Sequence, residues 1–459
     1  MNTVLEQEEE KEMKHCTATR NACKLCTPLG ACLAFRGVEG CIPFLHGSQG
    51  CATYIRRYLI SHFREPMDVA SSNFHEESAI FGGGKNLKAG LANVSAQYEP
   101  EMIGLATTCL AETIGENVPL ILKEYRDNCA VEDAPPIVSV STPSYRGTHM
   151  DGFHETVRAL VGHFAESGRR QERVAIFPGM VSAEDLRHLK EICREFGLPA
   201  TLLPDYSETM DGETWDSYQK MPSGGTPIHE IVGLGSVRMS IEFGRSLVGR
   251  DSAGAFLEKQ FQVPRRLLGL PIGIRETDRF MEVLETATGR CKPAALRQQR
   301  GRLVDALIDG HKYVFGKRAI VCGDADLATG LAAFLSETGI FPVLCATGER
   351  RVGWEKQVRE AAPDLPPESQ VCDRLDFAEI EERAEELKPD IVIGSSKGYR
   401  LARKMGVPLI RVGFPIHDRI GGQRVLHLGY AGAQQLYDRT VNALMEKKQT
   451  DSTVGYSYL

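Results

Sequence analysis

The sequence holds no uninterrupted apolar run of the ~18 residues that a bilayer-crossing helix needs, so no membrane span is expected. Its opening stretch, MNTVLEQEEEKEMKH, is acidic and has no apolar centre, so no secretory signal of the ordinary kind is expected. There is no lysine- or arginine-rich tract, and the net charge is −7, which argues against a nucleic-acid partner. Nothing repeats at a solenoid period, and no segment is of low complexity. What these absences leave is a cytoplasmic globular protein. A hydrophobic share of 42% and a charged share of 25% fit that class. At 459 residues the chain is too long for a single core, and a prior of ~150 residues per domain predicts about three domains.

Cysteine is the residue in excess, and 13 of them need a reason. A reducing cytoplasm excludes a disulfide framework. Cys16, Cys23, Cys26, Cys32, Cys41 and Cys51 crowd into one short N-terminal region, with Cys109 and Cys129 following. That group lies beside Gly, Pro, Ser and Lys, as in a metal or redox site. Cys193, Cys291, Cys322, Cys345 and Cys372 are scattered, mostly in apolar runs, and read as small core residues.

Short apolar runs alternate with amphipathic stretches. EMIGLATTCL (101–110) and PPIVSVSTPS (135–144) read as strands ending in polar loops, and 86–98 and 118–128 read as helices. Residues 172–205 form a strand–helix–strand unit whose helix has a Ser/Asp cap. A further unit spans 316–348 and is followed by strands in 388–396 and 407–415. Residues 208–300 read as mixed and mostly helical, with MPSGGTP (221–227) a loop. The expected fold class is α/β: three βαβ Rossmann-like domains with parallel sheets flanked by helices. The expected boundaries are a loose arm at 1–15, then 16–150, 151–300 with a helical insertion, and 301–459. Ligands of such sheets bind beyond the carboxyl ends of the strands, where Cys109 and Ser144 fall.

Three cysteines share one setting: Cys26 in KLCTPLGA, Cys51 in HGSQGC and Cys109 in TTCLAETIG. Each lies at a loop beside glycine, serine or threonine, where backbone N–H groups stabilise a metal-binding thiolate. Their separations match no local zinc-finger or ferredoxin run, so only the fold could assemble them. Three is one short of the usual cubane set. It implies a fourth ligand of another type or a second chain, unless these are simply unligated thiols. Other features have plainer readings. GGGKN (82–86) carries Asn86 where a phosphate loop needs Ser or Thr, so it reads as a strand–helix turn. GLGS (233–236) is too short for dinucleotide binding. Cys23 and Cys32 read as auxiliary or core thiols, and Glu76, Glu77 and Glu112 as loop carboxylates. LHLGYAGAQQL (426–436) reads as a strand end and helix start.

These stretches resemble the nitrogenase component 1 family, in particular its β-type subunits. The resemblance is carried by CTPLGACLAFRGVEGCIPFLHGSQGC, HFREP, ASSNFHEESAIFGGGKNL, TTCLAETIG, STPSYRGTHMDGF, GLPIGIRETD, GKRAIVCGDADLATGLAAFL, DIVIGSS and VPLIRVGFPIHDRIGGQRVLHLGYAGAQQL, in that order from about 20 to 445. It implies the nitrogenase component 1 fold, with 16–150 as the cluster-binding domain. It implies that Cys26, Cys51 and Cys109 hold half of a P-cluster, an iron–sulfur cluster of eight irons and seven sulfides shared with an α-type subunit. By the same matching Cys51 bridges the two halves, Cys26 and Cys109 are terminal ligands, and Ser144 ligates an iron when the cluster is oxidised. Tyr54 matches an aromatic between that cluster and an active-site metallocofactor held only by the partner. HGSQGC then reads as a cluster cradle. Gly47 and Gly50 permit tight turns and close backbone approach, and Ser48 donates a hydrogen bond to sulfur. His46 orients the loop by hydrogen bonding.

The resemblance further implies an α2β2 assembly, served by an ATP-hydrolysing iron protein. In this reading the chain is an electron-relaying subunit of a nitrogenase or of a nitrogenase-like reductase such as the methylthio-alkane reductase, and is not catalytic alone. The alternative is the β-like subunit of the scaffold on which the iron–molybdenum cofactor matures. Scaffold chains often lack one or two of the three cysteines, and this sequence has all three with Ser144 and Tyr54. Against that, NACKLCTPLGA and the missing long N-terminal extension depart from the standard molybdenum-nitrogenase β subunit, which leaves the scaffold alternative and the substrate open.

Overall fold

The computed structural model describes residues 21–128 and 134–454. The arm expected at 1–15, with Cys16 and Cys129, lies outside the described residues. Three separate parallel sheets follow one another along the chain.

The first sheet is built from β1 (Cys41–His46), β2 (Ala70–Ser71), β3 (Met102–Thr107) and β4 (Ile137–Val140), in the order β2-β1-β3-β4. Helix α1 (Thr27–Arg36) precedes it. Then come α2 (Gln49–Phe63), α3 (Glu76–Phe81), α4 (Gly84–Tyr98), α5 (Cys109–Thr113), α6 (Val118–Asn128) and α7 (His149–Phe164). The period-2 alternation of strand side chains explains the layering. On β1, Ile42 and Phe44 pack with Leu87 and Leu91 of α4, while Cys41 and Leu45 turn to the other face, with Leu29, Phe35 and Phe153. Because both faces are covered, β1 and β3 are buried along their whole length. They pair in register from Cys41↔Met102 to His46↔Thr107, so both strands end at one level. The strand order reverses between β1 and β3, which opens the crevice where doubly wound sheets hold ligands.

The second sheet contains β5 (Val174–Phe177), β6 (Ala200–Leu202), β7 (Met239–Phe243) and β8 (Arg265–Leu268), in the order β6-β5-β7-β8. The third contains β9 (Arg318–Cys322), β10 (Phe341–Ala346), β11 (Gln370–Cys372), β12 (Ile391–Gly394) and β13 (Leu409–Arg411), in the order β11-β10-β9-β12-β13. Within 208–300, mixed and mostly helical as expected, lie two unexpected strands, β7 and β8. Their sequences, MSIEF and RRLL, hid the signal because polar residues sit inside them. Glu242 is buried but bonded to Arg265 at 2.6 Å, so two strands of one sheet neutralise each other's charge.

Three smaller expectations are also corrected. GGGKN joins two helices, not a strand to a helix: α3 ends at Phe81 and α4 starts at Gly84. No strand ends at 426, since among the described residues the last one closes at Arg411 and Leu428 caps the helix Gly429–Asp451. Cys193, Cys322 and Cys345 are buried as expected, but Cys291 is exposed, because it lies between Arg290 and Lys292 and not in an apolar run.

Asp151, on the first turn of α7, ties the three sheets together. It completes a capping box with Thr148 and accepts from Arg250 at 2.9 Å and Arg351 at 3.0 Å. Burial works to raise its carboxyl, but Arg351, the Thr148 amide and Arg250 outweigh burial and bring it to about 2. A carboxylate depressed below its unfolded value of ~3.9 stabilises the fold above that pH and loses the contribution as pH falls towards the folded value. Stability should therefore decline between about pH 4 and about pH 2 in a way that Asp151→Asn flattens. Urea midpoints measured across that window check it; parallel curves for the two proteins would count against the tie.

Candidate cluster site

Each of the three candidate thiols begins a helix. Cys26 is the N-cap of α1, Cys51 lies on the first turn of α2, and Cys109 is the first residue of α5. The loops expected around them are therefore strand–helix junctions. Cys51 follows β1, Cys109 follows β3, and Ser144 follows β4, so three adjacent strand ends deliver three donors to one edge. Cys26 arrives differently, from the start of α1, which packs on α7. That packing depends on two glycines. A Cβ at Gly30 would fall 1.7 Å from the His149 carbonyl oxygen, and one at Gly152 would fall 2.0 Å from that of Thr27.

The thiols and Ser144 are linked directly. Cys26 Sγ lies 2.9 Å from Ser144 Oγ, and the Ser144 amide donates to Cys109 Sγ at 3.2 Å. The Thr27 amide also donates to Ser144 Oγ, at 3.2 Å. Ser48 Oγ donates to Cys51 Sγ at 3.6 Å, a long contact within the range for sulfur. Burial pushes the Cys26 thiol up, the Ser144 bond opposes this, and the nearby sulfurs of Cys109 and Cys51 raise it further. Three neighbouring thiols thus resist deprotonating together unless positive charge joins them.

Helices α1 and α2 supply part of that charge through their positive N-terminal ends. The helices that start at the thiols have no side-chain cap bond, whereas α7 and the helix Ala183–Glu195 have full capping boxes. On α1 the Thr27 amide already goes to Ser144 Oγ and the Leu29 amide to the Cys26 carbonyl, so it is on α2 and α5 that first-turn N–H groups not taken by a cap side chain can face an anionic sulfur site. Among the described residues no set of three or more His, Cys, Asp or Glu side chains converges for a single metal ion. The donor set fits a larger group: three thiols, all half-buried, spread along one edge. Cys23 and Cys32, by contrast, are buried. An iron–sulfur cluster open to a second chain satisfies the number, softness and exposure of these donors.

His46 is fully buried behind the loop. Its Nδ1 lies 3.0 Å from Ser72 Oγ, which also accepts from the Gly47 amide at 2.9 Å, and its Nε2 lies 3.7 Å from Glu116. Burial lowers its proton affinity, with Glu116 opposing. It orients the loop from inside. The roles expected of the two glycines separate. Neither has a positive φ, so neither is required for a left-handed backbone. Gly47 allows a close approach, since a Cβ there would fall 2.2 Å from Thr108 Oγ1, while at Gly50 the nearest atom is Ser48 Oγ at 3.6 Å. Tyr54 stands one turn along α2 from Cys51, 37% exposed, with its ring 4.8 Å from that of Tyr58. Burial, then Tyr58 and Cys26, make its phenol hold its proton more tightly. Glu76 and Glu77 are exposed on the first turn of α3.

Several residues of the site's frame were not singled out in the sequence. Thr108 Oγ1 donates to the His46 carbonyl at 3.0 Å, and Thr142 and Thr107 exchange two bonds across the ends of β3 and β4. The only trace of them is a run of hydroxyl residues at each strand end, in TTC and VSTPS.

Comparison with known proteins gives one answer. The sequence pattern described as nitrogenase component 1 type oxidoreductase matches residues 26–445. The nitrogenase molybdenum-iron protein beta chain of Clostridium pasteurianum is 33% identical over 435 residues, covering 94% of each chain. The protein of the same name from Azotobacter vinelandii is 33% identical, covering 97% of this chain and 88% of that one. A solved structure, nitrogenase Cp1 at pH 6.5, superposes with a TM-score of 0.93 at 32% identity, covering 96% of this chain and 97% of that chain. The chain belongs to the nitrogenase component 1 type oxidoreductase family.

Proposed function

We propose that this chain is the β-type subunit of a nitrogenase or nitrogenase-like reductase, holding half of an eight-iron P-cluster at the face where it meets an α-type partner. The observation that carries the proposal is the joining of Cys26 and Cys109 through Ser144, with Cys51 close to Cys26, at one half-buried edge. The family's oxidoreductase chemistry and the beta-chain relatives support it. When bound, the cluster supplies one-electron storage between an ATP-hydrolysing iron protein and a metallocofactor in the partner. The three thiolates hold it from this side, and the partner's thiolates complete it. Ser144 Oγ, 2.9 Å from Cys26 Sγ, is an O–H group able to give up its proton beside the sulfurs. Its amide fixes Cys109. The α1 and α2 N-termini favour the anionic thiolates. The complex would be an α2β2 assembly working in the cytoplasm, and no helix among the described residues is long and apolar enough to cross a membrane.

The test is turnover. Complex purified without oxygen, given its iron protein and ATP, should reduce dinitrogen, acetylene or a methylthio-alkane. Transfer of a cofactor to an apo-reductase without any turnover would place the chain on an assembly scaffold instead. All three cysteines together with Ser144 and Tyr54 favour the reductase.

A further inference from the structure

We infer that Glu112 is a positioning residue for the cluster site: its carboxylate latches the ends of β3 and β4 and so sets Ser144 against Cys109. The inference rests on the cluster reading above. The β3–β4 ladder stops at Ala106↔Val140, before either donor is reached. Beyond that point side chains take over. Glu112 Oε1 accepts from Thr107 Oγ1 at 2.5 Å and from Ser141 Oγ at 2.6 Å. Thr107 Oγ1 in turn accepts from the Thr142 amide at 2.9 Å, and Thr142 Oγ1 donates to the Thr107 carbonyl at 2.6 Å. Thr107 and Thr142 are buried, at 4% and 0% exposure.

Cys109 lies two residues beyond Thr107, and Ser144 two beyond Thr142. The contact between them, the Ser144 amide on Cys109 Sγ, is the first one past the latch. Hydroxyl bonds to a carboxylate are charge-assisted, a class stronger than bonds between neutral groups. Both hydroxyls use the same oxygen. A glutamine amide presents an oxygen in that place and can keep both bonds, whereas alanine loses both.

The test uses the full complex, prepared without oxygen, with Glu112→Ala and Glu112→Gln. Iron release to a chelator and the electron paramagnetic resonance signature of the oxidised complex are measured. Glu112→Ala should release iron about tenfold faster, in the range by which outer partners of metal ligands act, with an altered oxidised signature. Glu112→Gln should stay near the parent in both. A parent-like Glu112→Ala, or a Glu112→Gln as impaired as the alanine variant, overturns the latch. Cys109→Ala in the same preparation separates the two levels. If it too keeps the parent's iron and signature, the cluster assignment itself fails and the latch with it. If it loses them while Glu112→Ala does not, only the latch fails. Should Glu112→Ala not assemble, Glu112→Gln still decides, since only an acceptor-based latch lets it behave as the parent.

Discussion

Cys51→Ala is expected to strip the complex of its cluster iron almost completely while leaving the fold of this chain intact. The two halves of that expectation come from different links of the argument. Cys51 is half-buried on the first turn of α2, and among the described residues its sulfur is held only by the long bond from Ser48 Oγ at 3.6 Å. Removing a sulfur from such a place should alter folding stability by no more than about 0.5 kcal/mol. For the metal site the same change removes one of three thiolates. Cys23, Cys32 and Cys41 are buried and turned into cores, where burial holds their thiols protonated, so none can replace it. Iron and acid-labile sulfide per complex, set beside a urea unfolding curve, check both halves. Normal iron and a normal spectrum in the variant would falsify the assignment. Lost iron together with a collapsed unfolding curve would show that Cys51 holds the fold and not the metal.

The cysteine set was legible because chemistry chooses rare residue types and places them in unusual company. A thiol beside glycine, serine or threonine at a loop is not explained by core packing, so Cys26, Cys51 and Cys109 stood out as candidates, and Ser144 stood out at a strand end. The alternation of strands and helices was equally visible at β3 and β4, which carry apolar runs between amphipathic stretches, whereas at β1 no strand was visible. It failed at β7 and β8, because a buried Glu242–Arg265 pair looks polar in one dimension and becomes core only when the two strands lie side by side. Glu112 was passed over for the same reason: it reads as a loop carboxylate until Thr107 and Ser141 are brought to it by the register of two strands. The glycines divide along similar lines. Gly47 and Gly50 attracted attention beside Cys51, yet only Gly47 is constrained by its neighbours. Gly30 and Gly152, which decide where Cys26 sits, gave no local sign at all, since the atom each avoids belongs to a residue more than a hundred positions away.

Those last two glycines carry the other large effect. Gly152→Ala should destabilise the chain by about 3 kcal/mol, the upper part of the range for overpacking a close-packed interior, and should detach Cys26 from the site. The added Cβ would fall 2.0 Å from the Thr27 carbonyl oxygen and 3.0 Å from Thr27 Cγ2, and the carbonyl belongs to a helix backbone, so no rotamer change relieves it. Helix α1 must move off α7 as a unit. That shift pulls on the His149 amide bond to the Leu25 carbonyl, 3.1 Å, and on the Thr27 amide bond to Ser144 Oγ, the two contacts that bracket Cys26. Gly30→Ala should act in the same way from the opposite helix, where the new Cβ meets the His149 carbonyl. Gly301→Ala, in the exposed part of the helix Ala294–Val314, is the control. Nothing lies within 4 Å of its Cβ, its φ is ordinary, and alanine there should stabilise by up to about 1 kcal/mol. Urea unfolding of the three variants, with iron per complex measured on each, checks the argument. If Gly152→Ala matched Gly301→Ala in stability, the close helix crossing would not be what sets α1. If it lost stability but kept its iron, Cys26 would be held by the cluster and the partner chain, and not by the packing of α1 on α7.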